Sequence, residues 1–148
     1  QVVGLDPGLE MHRLARKRLA ATGLSVELVG LSAERIPYDD ASFDCVLVTF
    51  SLCTIPDAVA ALREMRRVLK PGAPLIFCEH GRAPDASVAR WQDRLTPVWS
   101  KFSGGCHLNR DIPALLAEAG FRCTDLQQRY LPGPRPLTYN YWGTAVAD

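Results

Sequence analysis

Short apolar runs alternate with helically spaced apolar residues from the first residue of the chain onward. The runs at 1–6, 26–29, 44–50 and 74–79 have the length and composition of strands. The third is almost entirely apolar, as expected where helices cover both faces of a sheet. This strand–helix–strand order predicts an α/β fold built on a parallel sheet with right-handed crossovers.

Residues 8–22 form the first predicted helix. Met11, Leu14, Ala15 and Leu19 share one face of this helix, while basic residues occupy the other. We therefore expect the apolar face to pack inward and the basic face to meet water.

Residues typical of helix ends indicate where the later helices begin. Asp57 is a candidate N-cap for a helix that follows the third strand, and Asn109 or Asp111 opens a shorter one. Residues 87–103 also have helical spacing, but we expect an irregular helix that is interrupted at Pro97.

The end of the chain breaks the alternation. Strand candidates at 122–130 and 138–147 are joined by 131–136, a proline- and glycine-rich segment in which we expect no helix. Two strands joined without a crossover helix pair antiparallel. We therefore predict a doubly wound, mostly parallel sheet with one antiparallel strand near an edge, in a single domain over residues 1–148.

Composition narrows the functional classes. The 17 Lys and Arg residues nearly balance the 16 Asp and Glu residues, which disfavours a nucleic-acid-binding surface. The three histidines have no paired spacing, so no metal site is predicted. The scattered cysteines lack a C-x-x-C pair and are interpreted as buried reduced thiols of a cytoplasmic protein. They are Cys45, Cys53, Cys78, Cys106 and Cys123.

The chain begins inside a predicted strand and has no initiator methionine. We expect the chain to be a piece of a larger coding sequence. On this expectation, the first strand of the sheet is missing from the chain. No apolar run is long enough to span a bilayer, but an anchor upstream of residue 1 would lie outside this chain. Membrane association and oligomeric state therefore stay open here.

Polar residues follow the predicted strands at their carboxyl ends, where open α/β sheets bind ligands. These ends supply Asp6, the turn 30–34, the tripeptide 49–51, and the pair Glu79 and His80. The Asp6 carboxylate can accept hydrogen bonds from both hydroxyls of a ribose. It can equally be an N-cap of the following helix, and the residues alone do not separate these two interpretations.

Three blocks of sequence resemble class I S-adenosylmethionine-dependent methyltransferases. Residues 33–44 are similar to the family's A-E-x-L-P-F-x-D-x-S-F-D stretch, residues 67–72 to its R-V-L-K-P-G-G, and residues 3–7 to its second-strand V-G-x-D-x-S. The blocks stand in the family's order. Within the family the chain resembles quinone C-methyltransferases and thiol methyltransferases, the latter through a Glu-His pair at 79–80 and a Gly-Cys pair at 105–106.

The resemblance implies a Rossmann-like domain whose cofactor is S-adenosylmethionine. It places Asp6 on the ribose hydroxyls, residues 32–34 along the adenine, and Phe50 and Ser51 at the methionine end. It also implies that the glycine-rich loop that approaches the methionine carboxylate is missing from this chain. The residues assigned to the cofactor are Asp6, Pro7, Met11, Ser32, Ala33, Glu34, Phe50 and Ser51.

The reaction implied by the resemblance is methyl transfer to a small, apolar acceptor, whose reacting atom (sulfur, oxygen, nitrogen or carbon) stays undetermined. His80 and His107 are the candidate catalytic bases, because imidazole accepts protons near neutral pH. Glu79 is a candidate for orienting a histidine or the acceptor. Trp91 and Trp99 are interpreted as core residues or as walls of an apolar pocket.

Two other functions compete with methyl transfer. A nicotinamide-dependent oxidoreductase would place the same acidic residue on its ribose, but the chain has no Tyr-x-x-x-Lys pair. A truncated, non-catalytic domain would instead bind a partner chain through the strand edge left by a missing first strand.

Overall fold

A computed structural model describes residues 1–147 of the chain. Within these residues, no helix combines the length and the apolar character that crossing a membrane requires. The strands are β1 Val2–Leu5, β2 Val26–Val29, β3 Val46–Thr49, β4 Pro74–His80, β5 Phe121–Tyr130 and β6 Tyr139–Ala147. The helices are α1 Leu9–Leu19, α2 Ala58–Val68, α3 Ala86–Phe102, α4 Ile112–Glu118 and α5 Arg135–Thr138.

The strand pairing confirms the predicted fold class. β1 pairs with β2 in parallel, and β3 pairs with β4 in parallel. β6 runs antiparallel to both of its neighbours, β4 and β5, so it is the one reversed strand and lies beside the edge strand β5. In the described part of the chain no ladder joins β1 to β3, and the strands form a two-stranded and a four-stranded sheet.

The main core lies against the four-stranded sheet. Leu62 and Met65 on α2 pack with Leu75 and Phe77 on β4, and Leu116 brings α4 against the same cluster. The α2 residues recur at helical spacing while alternate β4 residues point to one face, so the two periodicities predicted from the sequence meet in this core.

The predicted helix caps form. The Asp57 carboxylate accepts a hydrogen bond from the Ala60 amide at 2.8 Å and caps α2. For α4 the structure selects Asp111 over Asn109, since the Asp111 carboxylate accepts from the Ala114 amide at 3.1 Å. Each carboxylate satisfies a backbone donor that the first turn of a helix leaves unpaired.

The expectation that the apolar face of α1 is buried is wrong. Met11 is 54% exposed and Leu14 is 49% exposed, whereas His12 is the one residue of α1 that is buried. A two-stranded sheet covers only part of the apolar face of a helix packed on it, because such a sheet is narrower than a helix with its side chains.

Two other local predictions are also wrong. α3 continues through Pro97, because one proline removes a single amide donor while its fixed φ still fits a helix. The Thr96 hydroxyl donates to the Gln92 carbonyl at 2.8 Å in the same turn. The connection between β5 and β6 contains the one-turn helix α5, which Pro134 precedes and in which proline occupies the first turn.

We expect Asp57→Ala to lower the free energy of unfolding by about 1 kcal/mol, because α2 loses its N-cap hydrogen bond. Urea unfolding followed by circular dichroism measures the change. Asp39→Ala is the matched control, since Asp39 is also an exposed acidic residue but caps no helix. Equal effects of the two substitutions would contradict the assigned cap.

Candidate active site

The Asp6 carboxylate lies just beyond the carboxyl end of β1. Its Oδ1 atom accepts a hydrogen bond from the Gly8 amide at 2.6 Å, and no residue within 1–147 donates to Oδ2. The N-cap position of α1 is Gly8, not Asp6, so the simple capping interpretation of Asp6 is wrong. A Cβ atom at Gly8 would lie 3.0 Å from Oδ1, and glycine at this position therefore lets the carboxylate approach closely.

His12 fixes the backbone of the same turn. Its ring is 4% exposed, and Nε2 donates to the Asp6 backbone oxygen at 2.7 Å. The Asp6 amide also donates to the Val29 carbonyl at 3.1 Å. His12 was not among the predicted site residues, because its position on α1 does not show that the ring turns back toward the strand.

The loop after β2 is bound to the start of α2. The Ser32 hydroxyl donates to Glu34 at 2.9 Å, and the other carboxylate oxygen of Glu34 accepts from the Asp57 amide at 2.7 Å. Because β1 and β2 are parallel, this loop and Asp6 follow strand ends on one side. Each oxygen of Glu34 thus accepts a hydrogen bond within the protein, and the half-buried Ala33 lies between Ser32 and Glu34 in this loop.

The turn after β3 is tight and strained. Phe50 has φ +47°, a left-handed conformation that residues other than glycine rarely adopt, and its amide donates to the Cys78 carbonyl at 2.9 Å. Its side chain is 53% exposed. The Ser51 hydroxyl donates to the Thr49 carbonyl at 2.9 Å and so closes the turn. Such backbone outliers often lie at functional sites.

Glu79 is buried and supports this turn. Its Oε1 atom accepts from the Ser51 amide at 2.8 Å, and its Oε2 atom has no hydrogen-bond partner among the described residues. Burial raises the pKa of Glu79 to about 7, although hydrogen bonds from the turn amides oppose that shift. Glu79 is fully covered, so its side chain is shielded from solvent.

His80 contacts a cysteine that the sequence analysis did not pair with it. Its Nε2 atom lies 3.0 Å from Cys106 Sγ, and its ring is tilted against Phe50 with 6.3 Å between the ring centroids. Burial lowers the pKa of His80. Cys53 Sγ joins this group, and the three ligand atoms all lie within 4.8 Å of one another. Burial raises the pKa of Cys53 to about 12.

His107 follows Cys106 in the chain, but its ring contacts the Cys53 carbonyl and is not one of the three clustered side chains. Its amide donates to the Cys53 carbonyl at 2.7 Å, and its ring atom Nδ1 lies 3.3 Å from the same oxygen. A neutral ring that donates through Nδ1 keeps Nε2 as a proton acceptor. Among residues 1–147, no group is hydrogen-bonded to that Nε2 atom.

The other predicted residues lie at the surface. Pro7 and Met11 are exposed beside the Asp6 turn. Trp91 and Trp99 on α3 are also exposed, which excludes the core interpretation of both tryptophans. The predicted residues thus fall mainly into two groups. The Asp6 turn consists of residues 6–8 after β1, and the Phe50–His80 edge consists of Phe50 and Ser51 after β3 with Glu79 and His80 at the end of β4.

Comparison with known proteins gives a family and a fold. A family model described as "Methyltransferase domain" matches residues 1–77. Among solved structures, a SAM-dependent methyltransferase from Methanosarcina mazei has a TM-score of 0.75 and 23% sequence identity, and the match covers 99% of this chain and 81% of that chain. That likeness is a likeness of fold.

Curated relatives are similar in sequence. The chain is 38% identical over 153 residues to thiol S-methyltransferase TMT1B of Rattus norvegicus, a match that covers 99% of this chain and 62% of the relative. It is 39% identical over 95 residues to the ubiquinone/menaquinone biosynthesis C-methyltransferase UbiE of Pseudomonas fluorescens, covering 63% of this chain and 37% of the relative. The chain thus spans about three fifths of the length of the rat relative.

We expect His12→Ala to lower the free energy of unfolding by about 1–3 kcal/mol, because the Asp6 carbonyl loses its donor and a buried ring is removed. Urea denaturation measures this. Arg13→Ala is the control, being the next residue on the same helix and exposed. If His12→Ala is as stable as Arg13→Ala, the His12 bond does not hold the turn.

Proposed function

This chain belongs to the methyltransferase domain family, and on that premise we propose that it transfers a methyl group from S-adenosylmethionine to a small acceptor. The observation that carries the proposal is the Asp6 carboxylate at the carboxyl end of β1. One of its oxygens is bound to the Gly8 amide and the other has no donor within residues 1–147. A carboxylate at this place in an α/β sheet is suited to ribose hydroxyls.

The residues present fit the adenosine half of the cofactor. Asp6 would accept from the ribose hydroxyls, while the backbone of Ala33 would lie beside the adenine. Pro7 and Met11, both exposed next to Asp6, would contact the ring faces of the nucleoside. When bound, S-adenosylmethionine supplies a methyl group activated by the positive charge of its sulfonium.

The acceptor would lie at the Phe50–His80 edge. The exposed Phe50 ring offers an apolar wall there, and aromatic faces attract cations such as a sulfonium. For direct displacement, the protein mainly has to align the two reactants and exclude water. The exposed aromatic face of α3, including Trp91 and Trp99, provides further apolar surface for an acceptor.

A small apolar thiol is the acceptor class we propose to test first. The match to the rat relative named a thiol S-methyltransferase extends over nearly the whole chain, including the segment that carries His80 and His107. The match to the quinone C-methyltransferase covers a smaller part. A quinol-like ring carbon is therefore the second class to test.

Among the predicted catalytic residues, His107 is the base that the geometry favours. His80 Nε2 is occupied by Cys106 Sγ, and Glu79 is buried beneath the β3 turn. His107 donates through Nδ1 and keeps Nε2 as an acceptor for a proton from the acceptor substrate. His80 and Glu79 are proposed as positioning residues that fix the Phe50–Ser51 turn and the adjoining loop.

We expect Asp6→Ala to weaken binding of S-adenosylmethionine by about 1–3 kcal/mol, the value of a lost hydrogen bond to a charged group. Isothermal titration calorimetry would be done on the protein expressed from its complete coding sequence, with Asp39→Ala as the control.

Unchanged affinity in Asp6→Ala would refute the assigned ribose contact. Parallel titration with NAD⁺ tests the oxidoreductase alternative, which requires that NAD⁺ bind and S-adenosylmethionine not bind. Binding of neither compound would favour the non-catalytic alternative.

We expect His107→Ala to reduce kcat about 100-fold while the KM for S-adenosylmethionine changes little, because the variant loses a base but no proposed cofactor contact. Steady-state kinetics with a thiol panel measures both constants, and Asp39→Ala, an exposed residue outside the proposed site, is the control. Acidic thiols, which are already ionised in the assay, should lose less activity than weakly acidic ones. An equal loss for all thiols would contradict a role as base.

A further inference from the structure

We propose that Cys53, His80 and Cys106 form a zinc-binding site. Cys53 comes from the segment after β3, His80 is the last residue of β4, and Cys106 follows α3. The three ligand atoms lie within 4.8 Å of one another, and His80 Nε2 is 3.0 Å from Cys106 Sγ. This proposal replaces the expectation of no metal site, and it is independent of the proposed methyl transfer.

The ligand chemistry fits zinc. Thiolate sulfur and imidazole nitrogen are the ligands that zinc prefers, and a set of two cysteines and one histidine leaves a fourth tetrahedral position for another ligand. Zinc–ligand bonds of about 2.0–2.3 Å place tetrahedral ligand atoms roughly 3.5–3.8 Å apart. The observed spacings, from 3.0 Å to at most 4.8 Å, bracket that separation. Side-chain adjustment therefore suffices to close the site.

The backbone around the ligands is already fixed. The Cys53 carbonyl accepts from the His107 amide at 2.7 Å, which ties the two cysteine-bearing segments together. Gly105 has φ +90°, and a Cβ atom there would lie 3.5 Å from the Thr54 backbone oxygen. His80 is held in the β4 ladder opposite Asn140. The ligands thus come from segments that do not need to fold around the ion.

The Arg110 side chain also fixes the segment that carries Cys53. The Arg110 guanidinium donates to backbone oxygens of the Cys53 segment, including that of Ile55 at 2.6 Å and that of Pro56 at 3.1 Å. These hydrogen bonds hold the Cys53 segment in place beside Cys106 and His80. With zinc bound, the two cysteine ligands would be thiolates, and their two negative charges would balance the charge of the ion.

A disulfide between Cys53 and Cys106 is the other chemistry that this cluster permits. It would need an oxidant, and it would not use the imidazole that lies 3.0 Å from Cys106 Sγ. A zinc ion uses all three side chains. The bound ion would connect the segment that follows α3 to the segment after β3 and to the end of β4, beside the Phe50–His80 edge.

The test starts from the protein expressed from its complete coding sequence with Cys45→Ser as background, because Cys45 is an exposed thiol that would bind metal adventitiously. Metal analysis after exhaustive dialysis should give about one zinc per chain. Replacement by Co²⁺ should give the intense thiolate-to-cobalt charge-transfer absorption and the visible bands of a tetrahedral site.

Cys53→Ser, Cys106→Ser and His80→Asn should each weaken zinc binding at least about 10-fold in chelator competition. Cys123→Ser is the control, since Cys123 is a partly buried thiol on β5 outside the cluster. Circular dichroism identifies any variant that fails to fold. For that case, the background protein itself is melted with and without zinc, and zinc should raise its Tm.

Three results would overturn the proposal. These are absence of stoichiometric zinc together with no Tm shift, full retention of zinc by folded Cys106→Ser, and a cobalt spectrum without thiolate absorption. A protein that binds no zinc and whose mass shows a Cys53–Cys106 disulfide would replace the proposal with the redox alternative.

Discussion

The hydrogen bond of the buried Glu79 carboxylate is the interaction on which the turn after β3 depends. It reaches from the end of β4 to the Ser51 amide and so connects the ends of two adjacent parallel strands. Burying a carboxyl group is costly, and one of its oxygens has no partner within residues 1–147. Hydrogen bonds from the amides of the turn after β3 offset part of that cost, and the Ser51 amide reaches the carboxylate from a turn in which Phe50 is left-handed.

The elements that the sequence predicted well are those decided by near neighbours. Asp57 and Asp111 are caps because a carboxylate bonds amides two or three residues away. The reversed strand β6 followed from the short connection to β5, although that connection contains a helical turn. In contrast, Pro97 was wrongly predicted to interrupt α3, because one proline removes a single amide donor and its φ is compatible with a helix.

The site was predicted less completely, because its contacts join residues far apart in the chain. Asp6 was recognisable from its place at a strand end, but the His12 ring that holds its carbonyl was not. Residues 32–34 were predicted to lie along the adenine, but the hydrogen bonds of the Glu34 carboxylate to Ser32 and to the distant Asp57 amide were not predicted. The contact between His80 and Cys106 spans 26 residues, and no spacing rule connects a histidine to a cysteine at that separation.

The division of the strands into two sheets has a thermodynamic consequence. The two-stranded sheet with α1 has one short ladder and an exposed apolar face, so it can open at lower free energy than the core around Phe77. The Asp6 carboxylate, which we propose binds the ribose, belongs to this weaker part. A nucleoside bound there would stabilise the region that opens first, so the affinity for the ligand and the free energy of local opening would be linked.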